Sequence, residues 1–182
     1  MAEPLKDNFD RPTVELLAER FAAVDPDFAT GRFTDDVMAD LLDLELKARV
    51  NLVADGLHRE LPDHYPTALS MVVGVAETDP GQWAAWPLCS FVERHGLDWP
   101  VESLDAMAAL TRRWSCEFAV RPFLEHHLEA TLPYLDRWTA DRDESVRRLA
   151  SEGTRPLLPW ARKVQALLDD PRIGLRPLEA LR

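Results

Sequence analysis

Cysteine, glycine and long apolar runs are scarce in this chain, and each scarcity excludes something. Only Cys89 and Cys116 are present, with no metal-type spacing, so a disulfide-stapled secreted scaffold and a zinc module are both excluded. Free thiols in a reducing compartment are the expectation. No apolar run approaches the length that spans a bilayer. The N-terminus, MAEPLKDNF, has no apolar signal core, so a cytoplasmic location is expected. Alternating β-branched residues are missing apart from the short MVVGV at 71–75, which excludes a sheet. Phosphate-cradling glycine loops and nucleophile elbows are absent too. The histidines form no HExxH set. His126 and His127 are neighbours, and on a helix they would point about 100° apart. No metal and no cofactor are expected.

What remains is helical periodicity. Residues 13–24 place Val14, Leu17, Ala18 and Phe21 on one face. A second helix is expected over 33–42, and a third over 44–61. In the third, Leu46, Val50, Val53, Leu57 and Leu61 recur, while Lys47, Asn51, Asp55 and Arg59 form the opposite ridge. Further helices are expected at 65–76, 84–95, 101–114, 117–127, 128–139, 143–151 and 161–169, with RPLEALR starting one more. Asp79-Pro80-Gly81 separates two of them. The 14 prolines sit between these segments and punctuate them. Trp83, Trp86 and Trp99 read as core anchors. The fold class is all-α, with stacked antiparallel helix pairs in one domain over 1–182.

Charge divides the chain in two. The net charge is −11, which argues against a polyanionic partner. Residues 1–100 hold 8 basic and 19 acidic side chains, whereas 101–182 hold 13 of each. The acidity belongs to the first half, and the second half is free to present a basic face.

Two stretches in that second half match each other. Residues 115–124 read SCEFAVRPFL and residues 151–158 read SEGTRPLL. Each has Ser, Glu, Arg-Pro and two bulky apolar residues, and the glutamates lie 35 apart. LRPL at 175–178 is a fainter third copy. A period of that size marks helical repeats, and it predicts Glu117 and Glu152 at equivalent places near one surface. ADRDESVRR resembles the turn and second helix of a HEAT repeat, with Asp141 and Glu144 at capping-box spacing. Arg147 and Arg148 are adjacent and cannot both project the same way. One is expected to pair with Glu144 or Glu152, and the other to face solvent or phosphate.

Two carboxylates, an indole and arginines suit cleavage of an N-glycosidic bond in a polyanion. A carboxylate stabilises the oxocarbenium-like sugar and directs water, while guanidiniums hold phosphates. Simpler roles compete. Glu117 suits the first turn of a helix, Glu152 a solvated helix end, and Trp160, beside Pro159, inter-helix packing.

The runs AEPLK (2–6), LELKAR (44–49), EFAVRPFLEHH (117–127) and VRRLASEGTRPLLPWA (146–161) keep a common order. With them the chain resembles the AlkC branch of the AlkC/AlkD-type DNA alkylation-repair glycosylases, which are built of HEAT-like repeats. The resemblance implies release of cationic alkylated bases, such as 3-methyladenine and 3-methylcytosine, from double-stranded DNA by a monomer at the nucleoid. It implies Glu117 and Glu152 as active-site carboxylates and Trp160 as an aromatic wall, with Arg148, Arg155 and Lys163 on phosphates. The site-bearing repeats would cover about 101–170. The family pattern continues into a further repeat with another carboxylate, so the sequence reads either as a fragment or as a homologue whose array is shortened at Arg182. A non-catalytic helical-repeat module that binds DNA or protein is the alternative.

Overall fold

Prolines and aspartates decide where the helices start. In the computed structural model, which describes residues 4–182, α1 (Arg11–Val24), α4 (Tyr65–Glu77), α6 (Pro100–Leu110) and α7 (Arg121–His126) each open with proline in the first two positions. There the missing N–H has no helical partner to lose. The start of the AEPLK run, Ala2 and Glu3, lies outside the described residues. The remaining helices are α2 (Thr30–Met38), α3 (Leu46–Glu60), α5 (Gln82–His95), α8 (Leu128–Thr139), α9 (Glu144–Gly153), α10 (Gln165–Asp169) and α11 (Arg172–Ala180). Among the described residues there is no strand, and MVVGV is helical within α4.

Several expected boundaries are corrected. The helix expected over 33–42 runs from Thr30 to Met38, and Leu41–Asp43 forms a separate 3-10 turn. The helix expected to reach 114 stops at Leu110, and the one expected from 117 starts at Arg121. The segment between them, 111–120, is a chain of turns. The cap of α9 is Asp143, which accepts from the Ser145 N–H at 2.8 Å. Asp141 instead accepts from the Asp143 N–H, one turn earlier. Prolines do more than punctuate, because Pro87, Pro133 and Pro177 lie inside α5, α8 and α11.

The helices stack in two rows. In one, α3 packs on α5 and α7 on α10; in the other, α4, α6, α8 and α11 follow one another. Helices α1 and α2 cover the first pair, while α9 is inserted and packs on α8 and α11. Side-chain bonds between successive pairs recur at a nearly constant sequence distance. Tyr65 meets Ser103 38 residues on, Asn51 meets Ser90 and Asp55 meets Arg94 39 on, and Glu125 meets the Gln165 backbone 40 on. This ladder is the signature of a helical-repeat array in which each pair touches the next. It also explains the polar ridge of α3. Asn51 and Asp55 face α5 and bond to it, so that ridge is an inter-helix seam as well as a surface.

One continuous apolar core runs through the array, from Val14 to Leu167. A smaller cluster of Phe9, Val50 and Trp86 sits apart, with Leu46, Trp83, Trp114 and Phe118 packed on it. The buried guanidinium of Arg49 donates to the carbonyls of Lys6, Phe9, Leu42 and Leu44, tying the N-terminal segment over that cluster. The aromatic cluster is the floor of the candidate site.

Candidate active site

The turns at 111–120 are pinned to α5 by sulfur and aromatic contacts. Cys116 and Cys89 are buried free thiols whose Sγ atoms lie 3.3 Å apart, and Cys89 donates to the Trp114 carbonyl at 3.2 Å. Burial pushes the Cys116 thiol well above its usual pKa, which keeps it protonated and unreactive. Trp114 stacks on Trp86 with ring centres 4.9 Å apart, and Trp83 leans on Trp114 at 5.5 Å. Such pairs contribute about 0.5–1.5 kcal/mol each beyond burial. The turn is therefore a fixed platform, and Glu117 stands on it. Glu117 is not in the first turn of a helix, because α7 begins four residues later. Its carboxylate accepts from Ser115 Oγ at 3.2 Å and from Arg148 Nη2 at 3.3 Å.

Helix α9 brings the second carboxylate. Val146, Leu149, Ala150 and Gly153 are buried on one face, which leaves Ser145, Arg148 and Glu152 to line the cavity from the other. Gly153 is required for close approach, since a Cβ there would lie 2.5 Å from Val120 Cγ1. That contact presses the end of α9 against the turn carrying Glu117. Glu152 accepts from Arg155 Nη1 at 2.9 Å. The expected pairings of the adjacent arginines with Glu144 or Glu152 are not formed. Arg147 instead donates to the carbonyls of Asp141 and Arg142, and Arg148 reaches Glu117.

Residues 155–164 form an irregular loop shaped from beneath by Arg121. This guanidinium is fully buried and donates to four carbonyls, those of Arg162 (2.6 Å), Gly153 (3.0 Å), Arg155 (2.9 Å) and Pro156 (3.4 Å). Burial, with the charge of Arg162 beside it, holds the Arg121 pKa below the usual arginine range. A buried cation satisfied by carbonyls alone is acceptable because every donor direction used has an acceptor. Trp160 rides on this loop in the left-handed region, with φ of +64°, and is 71% exposed. Simple inter-helix packing does not describe it.

Together these elements enclose an open cavity of about 690 Å³. Trp83, Trp86, Trp114 and Phe118 form its floor, Glu117 and Glu152 face it, Arg148 and Arg155 stand on its rim, and Trp160 closes one side. Five of the six expected site residues thus converge. Lys163 does not. It lies with Arg162 on the opposite side of the loop, around a second depression of about 320 Å³. Of the three tryptophans read as core anchors, Trp86 is buried yet also lines the cavity, Trp83 is half-buried on it, and Trp99 is exposed and does not line it. Trp114, Phe118 and Arg121 also build the site, although helical spacing alone does not mark them for it. The one available signal was an arginine inside the apolar run EFAVRPFL. Among the described residues no His, Cys, Asp or Glu cluster fit for a metal ion is found, and no helix is long and apolar enough to cross a membrane.

The Glu-Arg-Pro copies are not structurally equivalent. Arg121-Pro122 opens a helix, Arg155-Pro156 lies in a loop, and Arg176-Pro177 is inside α11. The repeat in space is carried by the contact ladder and not by this motif.

No protein-family model matches the chain. The uncharacterized protein YhaZ of Bacillus subtilis (strain 168) is 36% identical over 179 residues, which is 97% of this chain and 50% of that protein. The Pseudomonas fluorescens alkylpurine DNA glycosylase AlkC, solved bound to DNA containing an abasic site analog, matches with a TM-score of 0.92 at 32% identity. That match covers 100% of this chain and 51% of AlkC. The chain therefore spans about half the length of the relatives it matches. Its resemblance to the AlkC-like branch extends over the whole chain in sequence and in fold.

Proposed function

From this likeness to the AlkC-like branch we propose that the chain carries the base-releasing site of a DNA alkylation-repair glycosylase. The reaction is hydrolysis of the N-glycosidic bond of a cationic alkylated base, such as 3-methyladenine or 3-methylcytosine, in double-stranded DNA. The bond from C1′ to the base nitrogen breaks, and its electron pair leaves with the base. This neutralises the base and leaves positive charge on the deoxyribose. Glu117 and Glu152 stabilise that charge, and one of them takes the proton as water oxygen bonds C1′. The products are the free base and an abasic site. Fixed charges aimed at a developing charge are worth about 3–4 kcal/mol. Trp160 packs on the lesion nucleotide, and no metal or cofactor takes part.

One observation carries the reading. Two carboxylates from different elements face one aromatic-floored cavity whose rim holds arginines. In the free chain Arg148 and Arg155 are paired with those carboxylates, and both guanidiniums are more than half exposed. An arriving phosphate competes for each guanidinium, so binding of DNA frees the carboxylates for the sugar. Lys163 reaches phosphate from the outer side of the loop.

The test is to incubate the purified chain with duplex DNA containing 3-methyladenine and measure released base. Release above the spontaneous rate is expected, and its absence from folded protein overturns catalysis by this chain. The same arginine–carboxylate pairs favour one alternative, a binding module without catalysis. That module would bind DNA with steep salt dependence and release no base, whereas affinity indifferent to salt would point to a protein partner.

A further inference from the structure

Lys47 belongs to α3, more than a hundred residues before the site loop, yet its ammonium touches two residues that line the cavity, Trp160 and Phe118. Lys47 Nζ donates to the Trp160 carbonyl at 3.2 Å. It lies 4.7 Å from the centre of the Phe118 ring, in cation–π range, and Phe118 is the neighbour of Glu117. Glu93 of α5 stands 3.9 Å away and sets the charge balance. The side chain is 36% exposed, so its stem runs along the protein while its head is fixed.

Trp160 needs such an anchor. Its backbone is in the left-handed region, which a bulky residue keeps only where its surroundings enforce it. Its indole is largely exposed, and among the described residues no other ring stacks on it. The direction of the indole is therefore set through the backbone. Arg121 fixes that backbone from beneath, at Pro156 and Arg162, and Lys47 is the contact made directly on Trp160.

We propose that Lys47 is the positioning residue of Trp160, holding its carbonyl to α3 and so setting the indole as the far wall of the cavity. This rests on the proposed glycosylase reading only for its effect on catalysis. Lys47 acts through Trp160 and need not touch the substrate.

Lys47→Met keeps the stem and removes the ammonium. The Trp160 indole N–H resonance is identified by its loss in Trp160→Phe. In Lys47→Met that resonance should shift, and its order parameter should fall below the wild-type value. The other five tryptophans should be unchanged. Lys47→Arg, which retains a donor, should restore the resonance. Release of 3-methyladenine should fall about 10- to 100-fold in Lys47→Met, as expected for misplacement by about 1 Å. In a Trp160→Ala background the same substitution should cost nothing further. An unchanged Trp160 resonance overturns the proposal, as does a loss that adds fully to that of Trp160→Ala. A salt slope of DNA binding lower by about one in Lys47→Met also overturns it, because Lys47 would then be a phosphate contact. If the wild-type chain releases no base, the glycosylase reading fails, and the indole resonance alone decides the role of Lys47.

Discussion

The turn around Glu117 and the stretch that runs from Glu152, at the end of α9, into the following loop carry the same residues in the same order, and the fold uses them differently. In the first, Arg121 is buried and its guanidinium spends its donors on the carbonyls of 153, 155, 156 and 162. In the second, Arg155 is exposed and donates to Glu152 three residues earlier. The first copy is thus the support on which the second stands. The arginine that builds the site is the one without a carboxylate, and the arginine paired with a carboxylate is the one free to leave. The role of a guanidinium follows from what its neighbours bury, and sequence likeness does not transfer it.

The largest effect should come from the supporting arginine. Arg121→Met strands four carbonyls in the interior and should destabilise the chain by about 3–5 kcal/mol, lowering the thermal midpoint by about 10 °C. Arg155→Met should move the midpoint by less than about 1 kcal/mol equivalent, as for an exposed pair. Equal losses in thermal denaturation would erase the distinction between the two copies.

Substitution of either carboxylate should strike chemistry and spare folding. Glu117→Gln and Glu152→Gln should each reduce release of 3-methyladenine about 10²–10³-fold, with melting within about 1 kcal/mol of wild type. An unaffected variant removes that glutamate from the mechanism.

A smaller effect is expected where the two regions touch. Gly153→Ala drives a methyl into Val120 and should cost about 1–3 kcal/mol by overpacking. Val120→Ala in the same chain should recover part of it, because the two sites share one contact. Failure to recover would mean that the end of α9 does not rest on the Glu117 turn.

The smallest effect separates the rim from the frame. Arg155→Ala and Arg148→Ala should each lower the slope of DNA affinity against salt by about one, weakening all sequences alike. Arg121→Lys, where folded, should leave the slope unchanged. A slope insensitive to the rim arginines would assign them to the carboxylates alone.

Much of the frame was legible because it is local. Periodicity located α1, α3, α4, α8 and α9, and the Asp79-Pro80-Gly81 break falls where Asp79 and Gly81 adopt positive φ. The unusual run at 146–161 pointed to the residues that line one side of the cavity. Trp114 and Phe118 were hidden because helical spacing absorbed them into helices that stop short of them. Arg121 and Lys47 were hidden for another reason, since their partners lie 32–41 and 113 residues away. A polar residue on an apolar stretch signals burial, but only the folded chain shows which carbonyls it serves.

The central claim is that Glu117 and Glu152, brought together by a fixed turn and by the end of α9 resting on it, act on one bond. The direct measurement compares 3-methyladenine release by wild type, Glu117→Gln, Glu152→Gln and the double variant. Groups acting as a unit are strongly non-additive, so the double variant should release base within a few-fold of the slower single variant. A double variant slower by the full product of the two single losses would contradict the account.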